Sequence, residues 1–230
     1  MAVIARLLAL ALLVSGLALG AAAPAAPTAS AVADRSAETR LGRLVRRLDV
    51  GRERAAGYDR EKFVHWVDVD GDGCDTRDEV LRQEAVDDPT VGDGCSLSGG
   101  EWFSWYDAEQ VTDSSDLDID HLVPLAEAWA SGARGWTAGT RRRFANDLGD
   151  RRSLTAVTAS SNRTKSDGDP AEWLPRKKAR CRYIRDWVVV KSRWQLRVDR
   201  TEKRTVRRLV RRCGSGGDTV RFTRARVVRR

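Results

Sequence analysis

The sequence predicts an α+β domain held together by disulfides. Three observations support this. Short aromatic-rich or alternating stretches of strand length occur at 99–113, 117–123 and 154–157. Between and around them lie segments whose apolar residues recur at helical spacing. Four cysteines follow a stretch that reads as an export leader.

The leader comes first in the chain. Arg6 precedes the apolar run Leu7 to Leu19, which at about 13 residues is short of the ~20 that a spanning helix needs. Ala29-Ser30-Ala31 and Ala31-Val32-Ala33 both fit a small-residue cleavage site. Residues 1–31 are therefore expected to be a signal peptide, and the mature protein to be secreted, with no stable membrane association. No cysteine precedes Cys74, which excludes a lipid-modified cysteine at the cleavage point. About 200 residues remain, enough for one domain with its own core.

Export bears on Cys74, Cys95, Cys181 and Cys213, since an even number in an oxidising compartment points to disulfides. Three pairings exist. Cys74–Cys95 with Cys181–Cys213 is the expected one, because each pair lies within one local segment. No C-x-x-C pair supports a zinc site.

Residues 32–57, rich in Ala and Arg, place Leu41, Leu44, Val45 and Leu48 on one helical face and form an N-terminal helical or linker segment. Tyr58 to Val67 is expected to be a second short helix leading to an acidic loop at Asp68. Another helix is predicted over Glu79 to Val86, ended by Asp87-Asp88-Pro89. Trp102, Phe103, Trp105 and Tyr106 mark a strand or hairpin, and Leu117 to Val123 an alternating segment. Leu125–Trp129 and Thr140–Leu148 look helical, and Leu154–Val157 extended. Asp169-Pro170 reads as a helix start. Lys178–Val190 and Thr201–Arg212 are predicted helices. Gly214-Ser215-Gly216-Gly217 then opens a basic tail, 214–230, expected to be flexible.

Charge is divided along the chain. Residues 66–120 carry 17 acidic and 2 basic side chains, residues 176–230 carry 21 basic and 4 acidic, and the whole chain is +8. Such a split suits one region that collects cations and another that meets a polyanion, although two solvated faces neutralising each other would look the same.

The chemistry-bearing stretch is Asp118-Ile119-Asp120-His121-Leu122-Val123-Pro124. An imidazole with an ordinary pKa near 6.5 takes a proton from water at neutral pH, and an adjacent carboxylate suits a hard cation such as Mg²⁺. The only other histidine, His65, has no comparable neighbour and is expected to be structural. A second stretch, Ser160 to Asp167, sets Asn162, a neutral oxygen ligand, beside Arg163 and Lys165, cations suited to phosphate oxygens.

Together the two stretches resemble the HNH (ββα-metal) nucleases, specifically secreted bacterial proteins of that family. Asp120, His121 and Pro124 match the Asp-His-x-x-Pro motif, and Asn162 matches the helical Asn or His. Gly73-Cys74-Asp75-Thr76-Arg77, Phe144-Ala145-Asn146-Asp147-Leu148 and Asp169 to Pro175 extend the likeness over about 58–213. The resemblance implies a ββα-metal core with a helical insertion and flanking helices. It implies His121 as general base, with Asp120 and Asn162 holding one Mg²⁺ or Mn²⁺. The substrate would be nucleic acid, DNA foremost, contacted by Arg77, Arg163 and Lys165. The pattern's middle Asn is absent where it would be sought, at Ser153; the alternatives for that orienting role are Asn146, from the preceding helix, and Ser153 itself through one hydrogen bond.

Upstream, Asp68, Asp70, Asp72 and Glu79 fit the D-x-D-x-D-G-x₅-E pattern of a Ca²⁺ loop, though Asp75 stands where an apolar residue is usual. The bland reading is an acidic turn capping the next helix. A competing function follows, a non-catalytic extracellular protein binding calcium and a polyanion.

Overall fold

Side-chain alternation and helical spacing resolve into nine strands and seven α-helices among the described residues, 36–230, of a computed structural model. The expected leader lies outside them. Strand β1 (Ser36–Arg40) runs into α1 (Leu41–Arg47), which buries Leu41, Leu44 and Val45. The helix expected over 58–67 is not formed beyond one 3₁₀ turn at Arg60–Lys62. Backbone groups of Val64 and Val67 bond the Asn146 side chain instead, and Trp66 sits at φ 55°, outside helical conformation.

Helix α2 (Thr76–Glu84) starts earlier than expected because Asp75 and Asp78 form a reciprocal capping box. Its tail becomes β2 (Ala85–Asp87), followed by the short β3 (Thr90–Val91) and β4 (Leu97–Ser98). The aromatic stretch is the hairpin β5 (Glu101–Ser104) and β6 (Glu109–Val111), with β2 on the other side of β5.

At the centre lies a ββα unit. Strand β7 (Leu117–His121) pairs antiparallel with β8 (Leu154–Thr158), opposing Asp120 to Thr155 and His121 to Leu154. The insertion between them carries α3 (Leu125–Ser131) and α4 (Ala138–Ala145). Helix α5 (Ala159–Lys165) follows β8 directly, its first turn capped by the Thr158 hydroxyl. No helix forms at Asp169-Pro170. The Asp169 carbonyl takes the N–H groups of Glu172 and Trp173 in a turn, and Pro175 disfavours helical backbone at Leu174.

Helix α6 (Arg180–Arg193) is buried at Trp187, Val188, Val189 and Val190, more than one helical face, so it forms the centre of the larger core. Helix α7 (Arg200–Arg212) buries Val206, Leu209 and Val210 and exposes its arginines. The flexible-tail expectation is corrected. Strand β9 (Thr219–Thr223) pairs with β1 from Ser36↔Thr223 to Arg40↔Thr219 and buries Val220 and Phe222. Its alternation suits a half-buried strand, and the partner comes from the other end of the chain.

The bridges are Cys74–Cys95, fastening the acidic loop, and Cys181–Cys213, joining α6 to the end of α7. A smaller core of Val80, Leu81, Trp102, Leu117, Ile119 and Leu154 lies under the β7–β8 hairpin. The fold is α+β.

Candidate active site

Two periodicities meet at the site. Along β7, Leu117 and Ile119 enter the smaller core, so Asp118 and Asp120 share the opposite face. On α5, Asn162 and Lys165 are three residues apart and share one side. The Asn162 amide donates to Asp118 Oδ2 at 3.0 Å, and Lys165 Nζ donates to Asp120 Oδ1 at 2.8 Å. The buried Tyr106 hydroxyl donates to the second Asp120 oxygen at 2.6 Å. Burial pushes the Asp120 carboxyl up and the Lys165 ammonium down from their ordinary values, against the pull of their mutual attraction. Helix α5 is further held by Asp107, whose carboxylate accepts from the hydroxyls of Thr158 and Ser161.

His121 ends β7, and its Nε2 lies 2.9 Å from the Ala145 carbonyl oxygen. A carbonyl only accepts, so Nε2 carries the proton and Nδ1 keeps its lone pair. Trp66 lies 5.6 Å away, ring to ring, and Phe144 is stacked at 6.4 Å. Burial, aided by the positive Arg60, pulls the imidazole down to about 3, so it is neutral at neutral pH.

The backbone that presents Ala145 is clamped. Asp147 takes a two-pronged contact from Arg193, with Nε at 2.8 Å and Nη2 at 2.7 Å, and also accepts from Trp194 Nε1 and the Ser153 hydroxyl. Ser153 therefore braces Asp147. Asn146 makes four bonds, accepting from Val67 N–H and the Thr76 hydroxyl and donating to the carbonyls of Val64 and Arg142. It thereby fastens the segment that lays Trp66 beside His121.

Asp120, His121 and Asn162 open on a cleft of 340 Å³, with Arg60, Arg163 and Asp167 also among its walls. The structure brings Asp120, His121, Asn162 and Arg163 together and corrects two expected substrate contacts. Lys165 is 1% exposed and bonds Asp120 and the His121 carbonyl, so it is closed to a phosphate. Arg77 is not in the cleft wall; its Nη2 holds the carbonyls of Ser114 and Leu117 at the start of β7. The acidic loop lies outside the cleft. There Asp68, Asp70 and Asp72 bring carboxylate oxygens within 4.8 Å of one another, and Glu79 comes within the same distance of Asp72 while also accepting from Arg82. Asp68 also accepts from the N–H groups of Gly71 and Gly73.

Sequence reasoning missed Asp118, Tyr106, Arg60 and the Ala145 carbonyl. Only Asp118 had a legible signal, its position two residues before Asp120 on one strand face.

A family model for the C-terminal domain of GmrSD restriction endonucleases matches residues 91–209, just over half the chain. The chain belongs to this family. The GmrSD C-terminal match includes both strands and the helix of the ββα unit, and it relates the chain to nucleases. A secreted protein of Arthroderma benhamiae, itself uncharacterized, is 42% identical over 158 residues, 68% of this chain and 76% of its own length. With that secreted relative and two disulfides, this GmrSD C-terminal-domain protein is a secreted one. No solved structure matches it. Among the described residues no helix is long and apolar enough to cross a membrane.

Proposed function

We propose that the protein is a metal-dependent endonuclease of the HNH type, hydrolysing phosphodiester bonds in DNA or RNA outside the cell. The observation that supports this most is the state of His121. Its Nε2–H is tied to the Ala145 carbonyl, while its neutral Nδ1 is left as the basic atom in a cleft shared with Asp120 and Asn162.

A water beside Nδ1 gives its proton to the imidazole as its oxygen attacks phosphorus. The bond from phosphorus to the 3′ oxygen breaks on the far side, leaving a 5′-phosphate. Arg60 and Arg163, both in the cleft wall, meet the non-bridging phosphate oxygens. The Ala145 carbonyl stabilises the imidazolium and keeps its ring in place.

The donor set suits a hard divalent cation. Asp118, Asp120 and Asn162 offer only oxygen ligands, and among the described residues the Asn162 amide oxygen has no hydrogen-bond partner. Each Asp120 oxygen accepts one hydrogen bond and retains a further lone pair. When bound there, Mg²⁺ or Mn²⁺ supplies charge neutralisation at the phosphate and the departing oxygen.

Plasmid nicking tests the reading. The mature protein is expected to nick with Mg²⁺ or Mn²⁺ and to stop with EDTA. Tight Ca²⁺ binding without cleavage under any divalent metal would favour the calcium- and polyanion-binding alternative.

A further inference from the structure

Beside the cleft lies a second hollow, a groove of 700 Å³. Its floor includes Val67 and Trp194, and its walls carry Arg142, Arg143, Arg224 and Arg226. All four arginines are exposed, and among the described residues none is in an ion pair. The groove's carboxylate, Asp147, is already neutralised by Arg193. Four guanidiniums without an acidic partner therefore stand over a partly apolar lining; Arg143 also donates to the Thr140 hydroxyl and the Arg226 carbonyl, which holds it at the groove.

The groove and the cleft share a thin wall. Asn146 lines the groove and follows Ala145, which holds His121; Val67 lines it and follows Trp66, which packs on His121. Arg224 also lines a neighbouring hollow of 570 Å³ with Arg43 and Arg47, where Glu38 is occupied by Arg221 and Asp49 is the remaining carboxylate. Val69, also in the groove's lining, leads into the acidic loop, which repels a polyanion. Charge thus favours the side of the groove that carries the arginines over the side that meets the acidic loop.

We propose that this groove binds the sugar-phosphate backbone of the polynucleotide on one side of the scissile bond. The identity of the ligand rests on the nuclease reading; the groove deepens that reading by stating where the rest of the substrate lies. Spaced guanidiniums fit successive phosphates, and the apolar floor fits the sugars between them.

The test is fluorescence anisotropy with a fluorescein-labelled DNA duplex in EDTA, where no cleavage occurs, repeated over a range of salt. The triple variant Arg142→Ser, Arg224→Ser, Arg226→Ser is expected to bind at least tenfold more weakly. Its log–log salt slope should flatten by about 2–3, since each lost phosphate contact removes about 0.9. The corresponding triple Arg→Lys variant should keep the parent slope. Unchanged affinity and slope in the serine variant overturn the groove, whether or not the parent cuts DNA. Weaker binding at the parent slope also overturns it, because that pattern reports general disruption. If the serine variant loses binding as expected but the parent cuts nothing under any metal, the groove stands and the nuclease reading falls.

Discussion

His121 donates its Nε2–H to the Ala145 carbonyl at 2.9 Å, joining the end of β7 to the end of α4 across 24 residues of sequence. This bond selects the tautomer in which Nδ1 keeps its lone pair. His121→Ala is expected to lower the nicking rate by about 10²–10⁴ with unchanged circular dichroism. A variant that cuts at the parent rate would remove His121 from the mechanism.

Asn146 should act on the His121 surroundings from a distance. Asn146→Ala removes four hydrogen bonds, which at about 1 kcal/mol each costs roughly 2–4 kcal/mol in urea unfolding. It also frees Val64 to Val67, so Trp66 no longer walls the imidazole. Tryptophan emission is expected to shift to the red even under conditions where the variant remains folded.

Lys165 is a structural counter-ion in this site. Lys165→Met leaves Asp120 buried without its partner, and breaking such a pair costs about 3–5 kcal/mol. Adding Asp120→Asn should recover part of that loss. Denaturant melts of the single and double variants measure it; a single variant as stable as the parent would refute the pairing.

A pH dependence follows from the buried cluster of Glu127, Lys191 and Glu202. Burial raises the Glu202 carboxyl to about 8, against an ordinary 4.5, with Lys191 opposing and Glu127 adding to the shift. The folded state then binds the proton more tightly than the unfolded one, so this contribution is full below pH 4.5 and is lost as pH rises through 8. His121 works in the other direction, its contribution being full above pH 6.5 and lost as pH falls towards 3. Between pH 6.5 and 8.5 the melting temperature should therefore fall, and Glu202→Gln should flatten that fall. Parallel curves for parent and variant would exclude Glu202 as the cause.

The Cys181–Cys213 bridge closes a separation of 32 residues, worth about 3–4 kcal/mol in the loop-closure account. Replacing both cysteines with serine should lower denaturant stability by that order. An unchanged midpoint would show that packing between α6 and α7 suffices without it.

By itself the sequence determined what local pattern can encode. The alternation of Leu117 to His121, the spacing in α6 and α7, and the placing of Asp120 beside His121 all depend on residues near one another in the chain. Even there, the expected helices at 58–67 and 169–170 were lost. Their backbone groups found side-chain and turn partners that propensity does not register. Tertiary structure alone decided the rest. Lys165 became a counter-ion, Arg77 a brace and the basic tail a strand, because in each case the partner lies tens of residues or more away. Ala145 entered the site through its carbonyl, an atom every residue carries, so no side-chain pattern could single it out.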